Sequence, residues 1–195
     1  MLGYVLRARG ASTKTKITIK SVVAVAVVAL AVVLPQLVHM AAGAAGGMKW
    51  LPMYIPVILG GALLGPVWGL AVGIMSPVVS YLITTAMGSP MPALTRLTYM
   101  VIELAVFAAV TGLFSKAILK NKALAFPAVI AAAAAGRGVF LLTVLALESL
   151  MPLSISTALT QVESGIYGVV LQIVVLPFVI AGIAYLMSRE GKRSE

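Results

Sequence analysis

Two side chains of opposite charge stand inside otherwise apolar runs. Glu103 lies in Ile102-Glu103-Leu104-Ala105 and Arg137 in Gly136-Arg137-Gly138. A charge at the centre of a membrane helix costs about 2.5–3.5 kcal/mol on insertion scales, so each needs a partner or water. Paired, they could organise a cavity for a solute, or simply lock one helix to another. The residues themselves leave both open. Arg96, Tyr54, Gln161 and Gln172 are the further candidates for contact with a solute, since each offers a hydrogen-bonding group near the same half of the spans. A buried arginine suits a carboxylated solute, whereas pairing with Glu103 would take up that charge.

Other chemistry is missing. The chain has no cysteine, no aspartate and a single histidine, His39, so neither a thiolate nor a histidine-rich metal site is expected. Gly191-Lys192 is followed by Arg193, and no phosphate-binding G-x-x-x-x-G-K-[ST] loop occurs. Neither H-E-x-x-H nor a serine–histidine–acid set is present. No catalytic residue, metal or cofactor is expected, and the chain does not read as an enzyme.

The elements that must position these residues are membrane helices. Of 195 residues, 62% are hydrophobic and only 10% charged, with a mean hydropathy of +1.12. A soluble domain is about a quarter charged. A crossing takes roughly 20 apolar residues, and the chain accommodates six. The spans are expected at about 21–38, 51–64, 66–86, 97–114, 123–148 and 164–187. The fold class is therefore an all-α, six-helix membrane bundle over 21–187, with a basic segment at 1–20 and a basic tail at 188–195. A basic start, an apolar run and Ala42-Gly43-Ala44 also fit a cleaved signal peptide. Retention of the first span is the expectation, because it has a place in the bundle.

Residues 51–82 carry no charge but hold Pro52, Pro56, Pro66 and Pro77. Gly61, Gly65, Gly69 and Gly73 fall four apart, which on a helix puts small residues on one face. A helical hairpin turning at Gly65-Pro66 and packed through a glycine seam is expected. By helical rise, Glu103 would lie about 9 Å below the outer end of its span and Arg137 about 16 Å below Glu148.

Charge sets the orientation. Placing both termini inside puts 11 of the 14 Lys and Arg in cytoplasmic segments, against Lys49 and Arg96 outside. That is the positive-inside distribution. The net charge of +9 is thus a topology signal and not a nucleic-acid footprint. Trp50, Tyr54 and Tyr99 fall where an outer aromatic belt is expected.

Pro52-Met53-Tyr54-Ile55-Pro56-Val57-Ile58-Leu59, then Gly65-Pro66, Gly69 and Ser76-Pro77, resemble the substrate-binding S components of energy-coupling factor (ECF) vitamin transporters. The resemblance continues at Ile102-Glu103-Leu104-Ala105, Gly136-Arg137 and Gly168-Val169-Val170-Leu171-Gln172-Ile173. Two positions depart from it. Tyr54 stands where the family carries histidine, and Ala24, Ala26, Ala29 and Ala31 lack the family's alanine spacing of four. The resemblance implies a vitamin-like substrate bound near the outer face of a multi-pass protein in a prokaryotic plasma membrane. It further implies a transmembrane coupling subunit and two cytoplasmic ATPases as partners. A stand-alone secondary carrier or channel and a non-transport membrane scaffold are the alternatives.

Overall fold

A computed structural model describes residues 1–147 and 154–192, and every regular element among them is helical. In chain order these are α1 (Leu2–Ala8), α2 (Thr13–Trp50), α3 (Tyr54–Leu64), α4 (Pro66–Ala86) and α5 (Leu94–Leu113). There follow α6 (Ser115–Lys120), a 3-10 turn at Lys122–Leu124, α7 (Ala125–Leu147) and α8 (Ile155–Lys192). Among the described residues six stretches are long and apolar enough to cross a membrane: Thr13–Gly43, Ala45–Leu64, Pro66–Ala86, Leu94–Leu113, Lys122–Leu147 and Ile155–Arg189. The chain thus has the architecture of a multi-pass membrane protein. Met1 and Ser188 line one cavity, so the two ends meet at one end of the bundle, as an even number of crossings requires.

Three boundaries differ from the sequence expectation. The first helix begins at Thr13, where the Ser12 hydroxyl accepts from the Thr15 N–H at 3.2 Å. It runs through Pro35 and breaks at Gly43, whose φ of 65° only glycine adopts without strain. A span of 51–64 alone would be short for a bilayer; the second crossing instead starts at Ala45 and is interrupted. α2 ends at Leu51 (φ 50°), and Pro52-Met53 lead into α3. Pro52 offers no N–H to the preceding turn, and with Leu51 in the left-handed region the helix stops here. The sixth helix starts at Ile155 and not 164, capped by the Ser154 hydroxyl on the Thr157 N–H at 3.3 Å. The expected loop from Glu148 to Glu163 is therefore helical over its second half. Glu148 itself lies outside the described residues, as does Arg193 of the tail.

The basic segment at 1–20 is folded, not free. α1 lies against the bundle with Met1, Val5 and Leu6 buried, and α2 already begins within it.

The hairpin turns at Gly65 (φ 90°), with Pro66 opening α4. Its glycine seam does more than join the two arms. A Cβ on Gly61 would land on the Ala108 carbonyl, and one on Gly69 would lie 2.8 Å from the same oxygen. On Gly73 it would stand 2.6 Å from Ala105 Cα, so α5 is the third helix of the seam. Gly112 returns the contact from α5, where a Cβ would stand 2.7 Å from Pro66 Cα. α5 is consequently central, packed on α3, α4 and α7. Hydroxyls at this depth bond back into their own helices: Ser76 donates to the Val72 carbonyl at 2.7 Å and Thr111 to that of Phe107 at 2.8 Å. α8 closes the bundle with Gln172, Leu176, Ile180 and Ala184 buried at intervals of four, one stripe of a helix.

Gly73→Ala drives a methyl into immobile backbone and should lower the unfolding free energy in detergent by about 2 kcal/mol. Gly138 has nothing within 4 Å of its missing Cβ. Gly138→Ala should leave stability unchanged or raise it by up to about 1 kcal/mol, read by the same denaturant titration.

Candidate functional site

Glu103 is 2% exposed on α5. Because α5 starts at Leu94, the carboxylate sits about 14 Å from that end of the helix, and Arg137 about 15 Å from the matching end of α7. The mismatch expected from sequence closes. Arg137 Nη1 lies 2.8 Å from Glu103 Oε1, and the Tyr54 hydroxyl donates to Oε2 at 2.5 Å. Both carboxylate oxygens are thereby engaged, by α7 on one side and α3 on the other.

The ring of Tyr54 is itself fixed. It meets Phe107 edge-on, with centroids 5.1 Å apart and planes at 84°, and the Arg137 guanidinium stands 5.4 Å from its centroid. Phe107 is fully buried against Gly136, where any Cβ would overlap its ring. Gly136 therefore seats Phe107, Phe107 holds Tyr54, and Tyr54 and Arg137 hold Glu103. On the far side Gly165 of α8 leaves room for Arg137: a Cβ there would be 3.2 Å from Nη2 and 3.2 Å from Leu51 Cδ1.

The break at Leu51–Met53 brings Tyr54 to this depth and leaves backbone to be satisfied in a place where water is scarce. Gln172 meets that need, its Nε2 donating to the Leu51 carbonyl at 3.3 Å. One helical turn earlier, Gly168 allows the approach, since a Cβ would stand 2.7 Å from the Trp50 carbonyl oxygen.

A cavity of about 490 Å³ opens over the charged pair, within the usual range for small-molecule sites. Its floor is Tyr54, Glu103 and Arg137; Arg96, Tyr99 and Gln161 stand around it. Met48, Met53, Met91 and Met100 with Phe140 give it apolar, polarizable walls. The Met91 wall is anchored to α4, the Ser80 hydroxyl donating to the Met91 carbonyl at 2.8 Å and Thr84 Oγ1 accepting from the Met91 N–H at 2.7 Å. Among the described residues several buried polar atoms around it find no partner: Arg137 Nε and Nη2, Gln161 Nε2, the Tyr99 hydroxyl and His39 Nδ1, as does Gln172 Oε1 outside it. Among the described residues Arg96 Nη1 meets the Met48 sulfur, at 3.3 Å, a weak acceptor for a guanidinium. Among the described residues no group of His and Glu could hold a metal.

Of the residues singled out from sequence, Glu103, Arg137, Arg96, Tyr54 and Gln161 line this one cavity. Gln172 does not. Its Nε2 serves the broken helix through the hydrogen bond to the Leu51 carbonyl. Tyr99, placed in the outer aromatic belt by the sequence, and His39 both line the cavity. The methionine walls were invisible to motif reasoning, because a methionine in an apolar span looks like any other lipid-facing residue.

Removing one member of a buried ion pair strands the other. Arg137→Met should cost about 3 kcal/mol of unfolding free energy, and the double change with Glu103→Gln less than the sum of the single losses. A double-mutant cycle by denaturant titration reads the coupling, expected at about 1–3 kcal/mol. No protein-family model, curated protein or solved structure matches the chain.

Proposed function

We propose that the chain is the solute-capturing membrane subunit of an ATP-driven importer of the ECF vitamin type. The observation that carries this reading is the cavity of about 490 Å³ with buried, unpartnered donors around it. A group that only locked helices together would have its hydrogen bonds satisfied within the protein. The unpartnered donors call for a solute rich in acceptors. The ionised side chains of the lining, Arg96 and Arg137 against Glu103, sum to one positive charge, which favours a carboxylate. The thioether and aromatic walls suit a flat or apolar body attached to it. In this reading the termini end of the bundle is cytoplasmic, where the cations concentrate, and the cavity faces outward. A coupling subunit and two ATPases would supply the energy, as the resemblance in Pro52–Leu59 implies.

The interrupted second crossing is the one feature that favours a stand-alone carrier, since transporters bind solutes at broken helices. Uptake into vesicles containing this chain alone decides between the two: accumulation without any ATPase subunit would replace the importer reading.

Calorimetry of the purified protein against a panel of carboxylated vitamins and precursors should find a binder at micromolar level. Arg96→Gln should weaken that binder by about tenfold or more, the loss of one charge-assisted hydrogen bond. Absence of any binder by a folded protein would remove the reading.

A further inference from the structure

The opposite end of the bundle holds a second and larger cavity, about 1050 Å³, where α1, the start of α2, the α3–α4 turn and the α5–α6 junction meet. Arg7, Lys16, Lys20, Lys116 and Lys120 line it, and among the described residues no carboxylate does. Like charges around one concavity repel, and their field focuses there unless an anion neutralises it. The crowding is close. Lys20 Nζ stands 3.0 Å from where a Cβ would project from Gly3. The Met1 amine donates to the Leu63 carbonyl at 3.0 Å and reaches Ser115 Oγ. Burial first, then the charges of Lys20 and Lys116, hold that amine down at about 5.

The rim has the opposite character. Tyr4 and Leu113 line the same cavity yet are 56% and 68% exposed, presenting apolar surface beside the cations. A soluble anion has no use for such a rim; an amphiphile with an anionic head does. We propose that this cavity holds the phosphate-bearing headgroup of an acidic phospholipid, with its acyl chains leaving past Leu113 and Tyr4. Arg7 lies on α1, Lys20 on α2, and Lys116 and Lys120 on α6, so phosphate between them would tie α1, α2 and α6 together.

Native mass spectrometry of the detergent-purified protein tests this, with dioleoyl phosphatidylglycerol and dioleoyl phosphatidylcholine as probes. The phosphatidylglycerol adduct should persist and the phosphatidylcholine adduct should not. The variant Lys20→Gln, Lys116→Gln, Lys120→Gln should lower retention by about a hundredfold, a factor of about five per cation. A control that removes equal charge outside the cavity, Lys14→Gln, Lys122→Gln, Arg189→Gln, should change it by no more than about twofold. If the first triple variant does not fold, Lys20→Gln and Lys116→Gln compared singly with Lys14→Gln carry the same contrast. Equal losses in both sets, or equal retention of the two lipids, would overturn the site. Inorganic phosphate distinguishes the source. Stabilisation of the unaltered protein by millimolar phosphate, lost in the cavity variant and without phosphatidylglycerol retention, would replace the lipid with a soluble phosphate ligand.

Discussion

A carboxylate removed from water must be met on both oxygens or it will not stay ionised, and Glu103 imposes that condition on the whole bundle. Its two partners come from different helices, Tyr54 on α3 and Arg137 on α7. Register, depth and rotation of those helices are thereby tied to α5. Neither partner could be moved by a helical turn without leaving a charge bare. The elements around the pair read as consequences of this: Gly136 seats the ring that fixes Tyr54, and Gly165 leaves space for the guanidinium.

The same condition explains why α5 is so tightly enclosed. In lipid there is no hydrophobic drive between helices, and association depends on close packing and interhelical hydrogen bonds. Gly61, Gly69 and Gly73 bring two helices onto the backbone of α5, and Gly112 answers from α5 itself. Backbone contact of this kind fixes the axis of α5, and with it the position of Glu103, more firmly than flexible side chains would. The break in the second crossing then places the Tyr54 hydroxyl, and Gln172 supplies the hydrogen bond that the break would otherwise lack. Close packing and polar pairing are one arrangement.

What was legible in the sequence follows from what is local. Six apolar stretches, the turn at Gly65-Pro66 and the isolated charges Glu103 and Arg137 are properties of short windows, and all are found, with the first, second and sixth stretches beginning well before their expected positions. The glycine spacing announced close approach but not the third helix, because the partner of a smooth face is not encoded in that face. Gln172 looked like a solute contact because an amide in a span must bond something. Its acceptor, the Leu51 carbonyl, lies 121 residues away and is free only because the helix stops there. The start of α8 was hidden by Ser154, Ser156 and Thr157, polar residues that read as loop but cap and open a helix. The methionine walls carry no pattern at all.

The sequence left Glu103 and Arg137 with two roles, a lock between helices or the floor of a solute site, and the ion pair between α5 and α7 shows the first. A guanidinium has five N–H donors in a fixed plane. Arg137 uses Nη1 on Glu103, while Nε and Nη2 find no acceptor among the described residues. The ion pair neutralises the charge of Glu103 and holds the fork in one orientation, with Nη2 against Gly165 of α8. Arg96, with only a thioether beside it, restores the net positive charge that the pair cancels. A lysine at position 137 could not divide itself this way, because a point charge satisfied by Glu103 has no fixed second edge. Locking α5 to α7 is thus what holds the remaining donors still, and a still donor set is what a selective site needs.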